Sequence, residues 1–162
     1  MNYHNITKED MLNGDGLRVV LWVSGCNHHC KNCQNPITWD EKGGLPFDET
    51  AEEELFDALD KSYIDGITFS GGDPLFPANR AEVFRLIKKC RALLPEKTIW
   101  LYTGYTWEQI NKLDGIEDID VIAEGEFVEE LMDNNIQWVG SSNQRVIDVK
   151  RTLKSKEVVL HV

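Results

Sequence analysis

The sequence predicts a single-domain α/β fold, an open partial barrel with parallel strands, on three observations. Short apolar runs alternate with helical stripes, the order that produces right-handed βαβ crossovers and a parallel sheet. Each run ends in a polar, glycine-bearing loop: SGCNHHCKNC, SGGDP, TGY and EGEF. The chain of 162 residues has room for about six strands, too few to close an eight-stranded barrel. One domain is expected across 1–162, since domains commonly span about 100–200 residues.

The elements follow in order. Residues 17–23 (LRVVLWV) are β-branched, apolar and bounded by turn formers, which predicts a buried strand. Ala51, Leu55, Ala58 or Leu59, and Tyr63 recur near the helical period, with Asp48 or Thr50 as N-cap and acidic residues in the first turn. A second strand is expected at 66–69 (GITF). A helix over 81–94 then carries Val83, Ile87, Cys90 and Leu94 on one stripe and is stopped by Pro95. Thr98–Tyr102 and residues 119–123 predict two more strands, with a short helix over 106–113 between them. A last helix is expected from about Ser142, capped by Ser142 or Asn143, and a closing strand over 158–160. Ligands of parallel sheets bind beyond the C-terminal strand ends, so four separate loops should converge on one site.

Charge and composition exclude several function classes. Lys and Arg number 17 against 28 Asp and Glu, a net charge of −11, which disfavours binding to nucleic acid or an anionic membrane. No apolar run approaches the roughly 18 residues of a membrane span. The N-terminus MNYHNITKED lacks the pattern of a secretion signal, and the protein is expected in the cytoplasm. From 40 to 65 the chain has ten carboxylates against Lys42 and Lys61. A solvated helix face explains them, with a docking surface for a basic partner as the alternative.

Three of the four cysteines, Cys26, Cys30 and Cys33, fall within eight residues, while Cys90 stands apart. A disulfide suits this set poorly, because cytosolic thiols are kept reduced. A C-x3-C-x2-C loop brings thiolates together for zinc or iron–sulfur. Zinc requires a fourth ligand, from His28, His29 or Cys90, whereas a 4Fe-4S cube on three cysteines keeps one iron open to substrate. Cys90 belongs to an apolar helix stripe and is expected in the core. Gly71-Gly72-Asp73-Pro74 reads either as a turn of four turn-forming residues or as a strand end where missing Cβ atoms let a ligand approach the backbone.

The cysteine loop after a first strand and Gly-Gly-Asp-Pro after a second, in this order, resemble the radical S-adenosylmethionine superfamily. The match narrows with Met1-Asn2-Tyr3, Asn13-Gly14-Asp15-Gly16-Leu17-Arg18, Cys33-Gln34-Asn35, Ser70-Gly71-Gly72-Asp73-Pro74-Leu75, Tyr102-Thr103-Gly104-Tyr105 and Gly140-Ser141-Ser142-Asn143-Gln144-Arg145. Together these resemble the activating enzymes of anaerobic (class III) ribonucleoside-triphosphate reductases. Asn32 stands where relatives often carry Gly or an aromatic residue, and Glu124-Gly125 replaces their Asp-Gly.

The resemblance implies a radical-SAM (βα)6-type barrel in which Cys26, Cys30 and Cys33 hold a 4Fe-4S cluster. S-adenosylmethionine would chelate the fourth iron, with Asn32, Cys33, Gln34, Gly71, Gly72, Asp73 and Thr103 as its binding residues. It implies reductive cleavage to a 5′-deoxyadenosyl radical that takes hydrogen from a glycine of the reductase, with a low-potential donor such as flavodoxin. Competing readings are an activase of another glycyl-radical enzyme, a radical enzyme acting on a small molecule, and a non-catalytic zinc module. The segment 138–145 favours the reductase activase.

Overall fold

The computed structural model describes residues 1–33 and 35–161. Among them, seven strands form one sheet: β1 (Asn2–Asp10), β2 (Arg18–Val23), β3 (Leu45–Pro46), β4 (Gly66–Gly71), β5 (Thr98–Tyr102), β6 (Val121–Glu124) and β7 (Arg145–Asp148), in the order β3-β1-β2-β4-β5-β6-β7. The helices are α1 (Glu49–Leu59), α2 (Pro77–Leu93), α3 (Trp107–Ile110) and α4 (Val149–Ser155).

The four strands β2, β4, β5 and β6 pair parallel, as the alternation of apolar runs and helices predicts. The expectation of parallel strands throughout is corrected at both flanks, where β1 and β3 on one side and β7 on the other are antiparallel. The result is a mixed, unclosed α/β sheet. The sequence NYHNITKED of β1 alternates weakly and is mostly half-exposed, which hid a strand whose hydrogen bonds come from pairing with β2. The last helix begins at Val149 rather than Ser142, with Asp148 accepting from the Arg151 N–H at 3.0 Å, so capping by Ser142 or Asn143 is overturned. Residues 158–160 contribute a single bridge, Leu160 to Ile147.

Period-two alternation in the strands builds one apolar face covered by helices and one mixed face. Val19, Leu21, Val23, Ile67, Phe69, Ile99, Leu101 and Ile122 pack with Leu55, Leu59, Val83, Ile87 and Cys90 of α1 and α2, and Cys90 is buried as expected. Asp48 caps α1 by accepting from the Ala51 N–H at 2.9 Å. Helix α2 starts earlier than its stripe, at Pro77, a residue suited to a first turn.

On the opposite face Arg18 is fully buried. Its Nε donates to Thr68 Oγ1, its Nη1 to Asp15 O and Thr98 Oγ1, and its Nη2 to Ile67 O and Thr98 O, all at 2.8–2.9 Å. Five donors are thereby satisfied. Burial pushes the guanidinium down to about 10, so it stays charged at neutral pH. The Asn-Gly-Asp-Gly segment serves this anchor: a Cβ on Gly14 would stand 2.9 Å from Arg18 Cδ, and one on Gly16 2.2 Å from Asp65 Oδ2.

The two sheet rims differ, since β3 covers only Asn2 and Tyr3 of β1 while the tail runs along β7. β3 is two residues long and ends in Pro46. Along β7 the tail crosses with the Asp148 N–H donating to Val159 O and the His161 N–H to Val146 O, both at 2.8 Å.

Candidate active site

The C-terminal ends of β2, β4, β5 and β6 open onto one cavity of about 430 Å³. Cys26, Cys30 and Cys33 line it together with Gly71, Gly72, Asp73 and Thr103, so residues from three separate sequence motifs meet there. Asn32 does not join the wall. Its φ is +56°, and its exposed side chain turns outward to the Glu129 carboxylate. Gln34 lies outside the described residues.

Backbone bonds root the cysteine loop: the Gly25 N–H donates to Thr38 O at 2.7 Å and the Cys26 N–H to Trp39 O at 3.1 Å. The loop also rests on the Gly-Gly turn. A Cβ on Gly71 would lie 2.5 Å from the backbone N and O of Val23, and one on Gly72 2.5 Å from Gly25 O and 2.7 Å from Thr38 O. Both glycines thus admit the chain's own backbone at the edge of the cavity.

Asp73 is fully buried and its carboxylate is fully used. It accepts from the Leu75 N–H at 2.8 Å, the Thr103 hydroxyl at 2.9 and 3.0 Å, the Gly104 N–H at 2.9 Å and His28 Nε2 at 2.7 Å. One side chain therefore joins the β4 loop, the β5 loop and the cysteine loop. That hydrogen bond holds His28 above the ordinary imidazole range against the opposing effect of burial, with the charges of Asp73 and Glu126 adding to it. Sequence reasoning offers His28 only as a possible fourth ligand for zinc. Its Asp73 contact spans 45 positions, a separation that local pattern does not reveal.

The thiols are free. Burial pushes Cys26 up to about 11, while backbone N–H groups of His28 and His29 pull it down. Cys30 is raised by burial and by Glu126, and lowered by the Phe127 N–H. The Asn35 N–H lies 3.4 Å from Cys33 Sγ. Metal binding requires deprotonation, and at Cys26 and Cys30 the N–H donors offset only part of the effect of burial.

Among the described residues, no three His, Cys, Asp or Glu side chains are grouped to hold a single ion. Cys26, Cys30 and Cys33 line one cavity, and three thiolates without a fourth protein ligand are a donor set that leaves one iron of a 4Fe-4S cube open.

The segment Gly140 to Arg145 acquires a role that its chemistry alone did not disclose. Gln144 Nε2 donates to Gly125 O at 2.9 Å, and its Oε1 accepts from the Gly140 and Ser141 N–H groups at 3.0 Å. Asn143 Nδ2 donates to Glu126 O at 2.8 Å. These amides fix the rim segment that follows β6. Arg145 reaches back to Glu124, which is buried and accepts from the Trp107 N–H at 2.6 Å. Glu124 thus orients the start of α3 beside the site.

The chain is similar to known proteins over most of its length. A family model described as a 4Fe-4S single cluster domain matches residues 12–147. The anaerobic ribonucleoside-triphosphate reductase-activating protein of Enterobacteria phage T4 is 45% identical over 146 residues, covering 90% of this chain and 93% of that protein. The protein of the same name from Escherichia coli K12 is 41% identical over 150 residues, covering 90% and 97%. That of Vibrio cholerae is 38% identical over 148 residues, covering 89% and 96%. With the cysteine loop, the Gly-Gly turn and the rim amides inside the matched span, this chain belongs to the family of anaerobic ribonucleoside-triphosphate reductase-activating proteins.

Proposed function

We propose that this protein activates an anaerobic ribonucleoside-triphosphate reductase by forming its glycyl radical. The observation that carries the reading is the meeting of Cys26, Cys30 and Cys33 with Gly71, Gly72 and Thr103 around one cavity. When bound there, a 4Fe-4S cluster and S-adenosylmethionine supply the electron and the hydrogen-abstracting group that no side chain provides.

The chain's own residues hold and shield. Cys26, Cys30 and Cys33 are the cluster ligands. The backbone of Cys33, Gly71 and Gly72, which line the cavity with Thr103, would border S-adenosylmethionine, with the Gly71–Gly72 carbonyls suited to its ammonium group, while Asn32, turned outward to Glu129, is left out of that set. Asp73, with both oxygens already engaged, orients Thr103, Gly104 and His28 instead of reserving a carboxylate for the ligand. The parallel strands with flanking helices are read as the incomplete barrel of radical-SAM enzymes, a single domain across 1–162. No helix among the described residues is long and apolar enough to cross a membrane. A cytoplasmic setting and a low-potential donor such as flavodoxin complete the proposal.

The deciding experiment is electron paramagnetic resonance of the reductase after anaerobic incubation with this protein, S-adenosylmethionine and reductant. A glycyl-radical doublet that requires all three is expected. A colourless protein with stoichiometric zinc and no doublet would overturn the reading.

A further inference from the structure

The rim segment 125–143 grips the cysteine loop from a distance of almost a hundred positions. Glu126 Oε2 lies 3.2 Å from His28 Nδ1 and 4.0 Å from Cys30 Sγ. Glu129 holds the other side of the loop, through Asn32 and through Lys31 Nζ at 3.3 Å. The backbone under Glu126 is itself fixed by Asn143 and Gln144. His28 is clamped between two carboxylates, Asp73 on Nε2 and Glu126 on Nδ1.

Two consequences follow from where Glu126 stands. A side chain bonded to the loop midway between Cys26 and Cys30 restricts how the thiols are presented. A carboxylate beside a ligating sulfur is also a negative charge next to the metal centre, and added negative charge disfavours the reduced state. We propose that Glu126 is a positioning residue for the cysteine loop and that its charge lowers the reduction potential of the cluster bound there. This rests on the cluster reading of the site. The Glu126 side chain is 51% exposed, so solvent screening keeps the effect modest.

The test is a redox titration of the cluster-loaded protein, followed by electron paramagnetic resonance without S-adenosylmethionine or reductase, beside amide hydrogen exchange over 27–33. Glu126→Gln keeps an acceptor for His28 and removes the charge, whereas Glu126→Ala removes both. Both variants should shift the midpoint potential positive, and the Ala variant alone should speed exchange in the loop. Glu130→Gln, an exposed carboxylate of the same rim segment, should do neither. A Glu126→Gln potential equal to the parent's in a fully loaded protein overturns the charge effect, and unchanged exchange in Glu126→Ala overturns the positioning. A parent protein that takes up no iron and sulfide overturns the function above and this inference with it.

Discussion

Gly72 lies against Gly25 so closely that a Cβ on it would stand 2.5 Å from the Gly25 carbonyl oxygen, while the Asp73 N–H donates to that same oxygen at 2.7 Å. The turn after β4 and the root of the cysteine loop are therefore one packed unit. Gly72→Ala must push backbone against backbone, with no flexible side chain to yield. Destabilisation of about 1–3 kcal/mol is expected, the usual range for overpacking, with a lower iron content per chain. Chemical denaturation and iron analysis of the reconstituted protein check it. Wild-type stability together with full iron loading would show that the loop repacks freely.

Cys90 separates from the other three cysteines by its place, fully buried in the core and away from the cavity that they line. Burial pushes its thiol up to about 11 from an ordinary 9.0. A folded-state value above the unfolded one means that the folded protein binds this proton more tightly. Its contribution is therefore fully present below about pH 9 and lost as pH rises through about 11. Cys90→Ala should flatten the alkaline fall of stability between those limits, at the cost of a small cavity at neutral pH. It should leave cleavage of S-adenosylmethionine intact, whereas Cys26→Ala should abolish it. Thermal melts of parent and Cys90→Ala proteins from pH 7 to 11, with an assay for released methionine, test both statements.

Arg145 and Glu124 form an ion pair at 2.9 Å in which the carboxylate is 1% exposed and the guanidinium 33%. Removing Arg145 leaves Glu124 buried with the Trp107 N–H as its remaining partner. Loss of one member of such a pair costs roughly 2–4 kcal/mol, the partial exposure of the arginine reducing the figure for fully buried pairs. Arg145→Met should show that loss in urea denaturation, and the double variant Arg145→Met with Glu124→Leu should recover part of it. A double variant no more stable than Arg145→Met would mean that the packing of Arg145 matters more than its charge.

The parallel strands and the two long helices were legible because each carries its own period: Val19, Leu21 and Val23 on β2, and Val83, Ile87 and Cys90 on α2. The cysteine loop and Gly-Gly-Asp-Pro were legible because their spacing is local. What escaped depends on contacts far apart in the chain. The strand β1 is held by its pairing with β2 and not by an apolar pattern. Asn143, like Ser142, looks like a helix-capping residue, yet its amide is taken by the Ser141 hydroxyl and by Glu126 O, and the helix starts at Val149. His28 is likewise unremarkable until the fold brings Asp73 and Glu126 to its two ring nitrogens.

The tail along β7 bears on how this chain meets other proteins. Unpaired strand edges are templates on which a second polypeptide adds a strand, the common route to aggregation and swapped dimers. On one side β3 pairs with only Asn2 and Tyr3 of β1, whereas on the other the tail pairing with Val146 and Asp148 occupies the edge. On the β7 side a second polypeptide could add a strand only by displacing the tail, so the order of the last residues decides whether that edge is open to a neighbour.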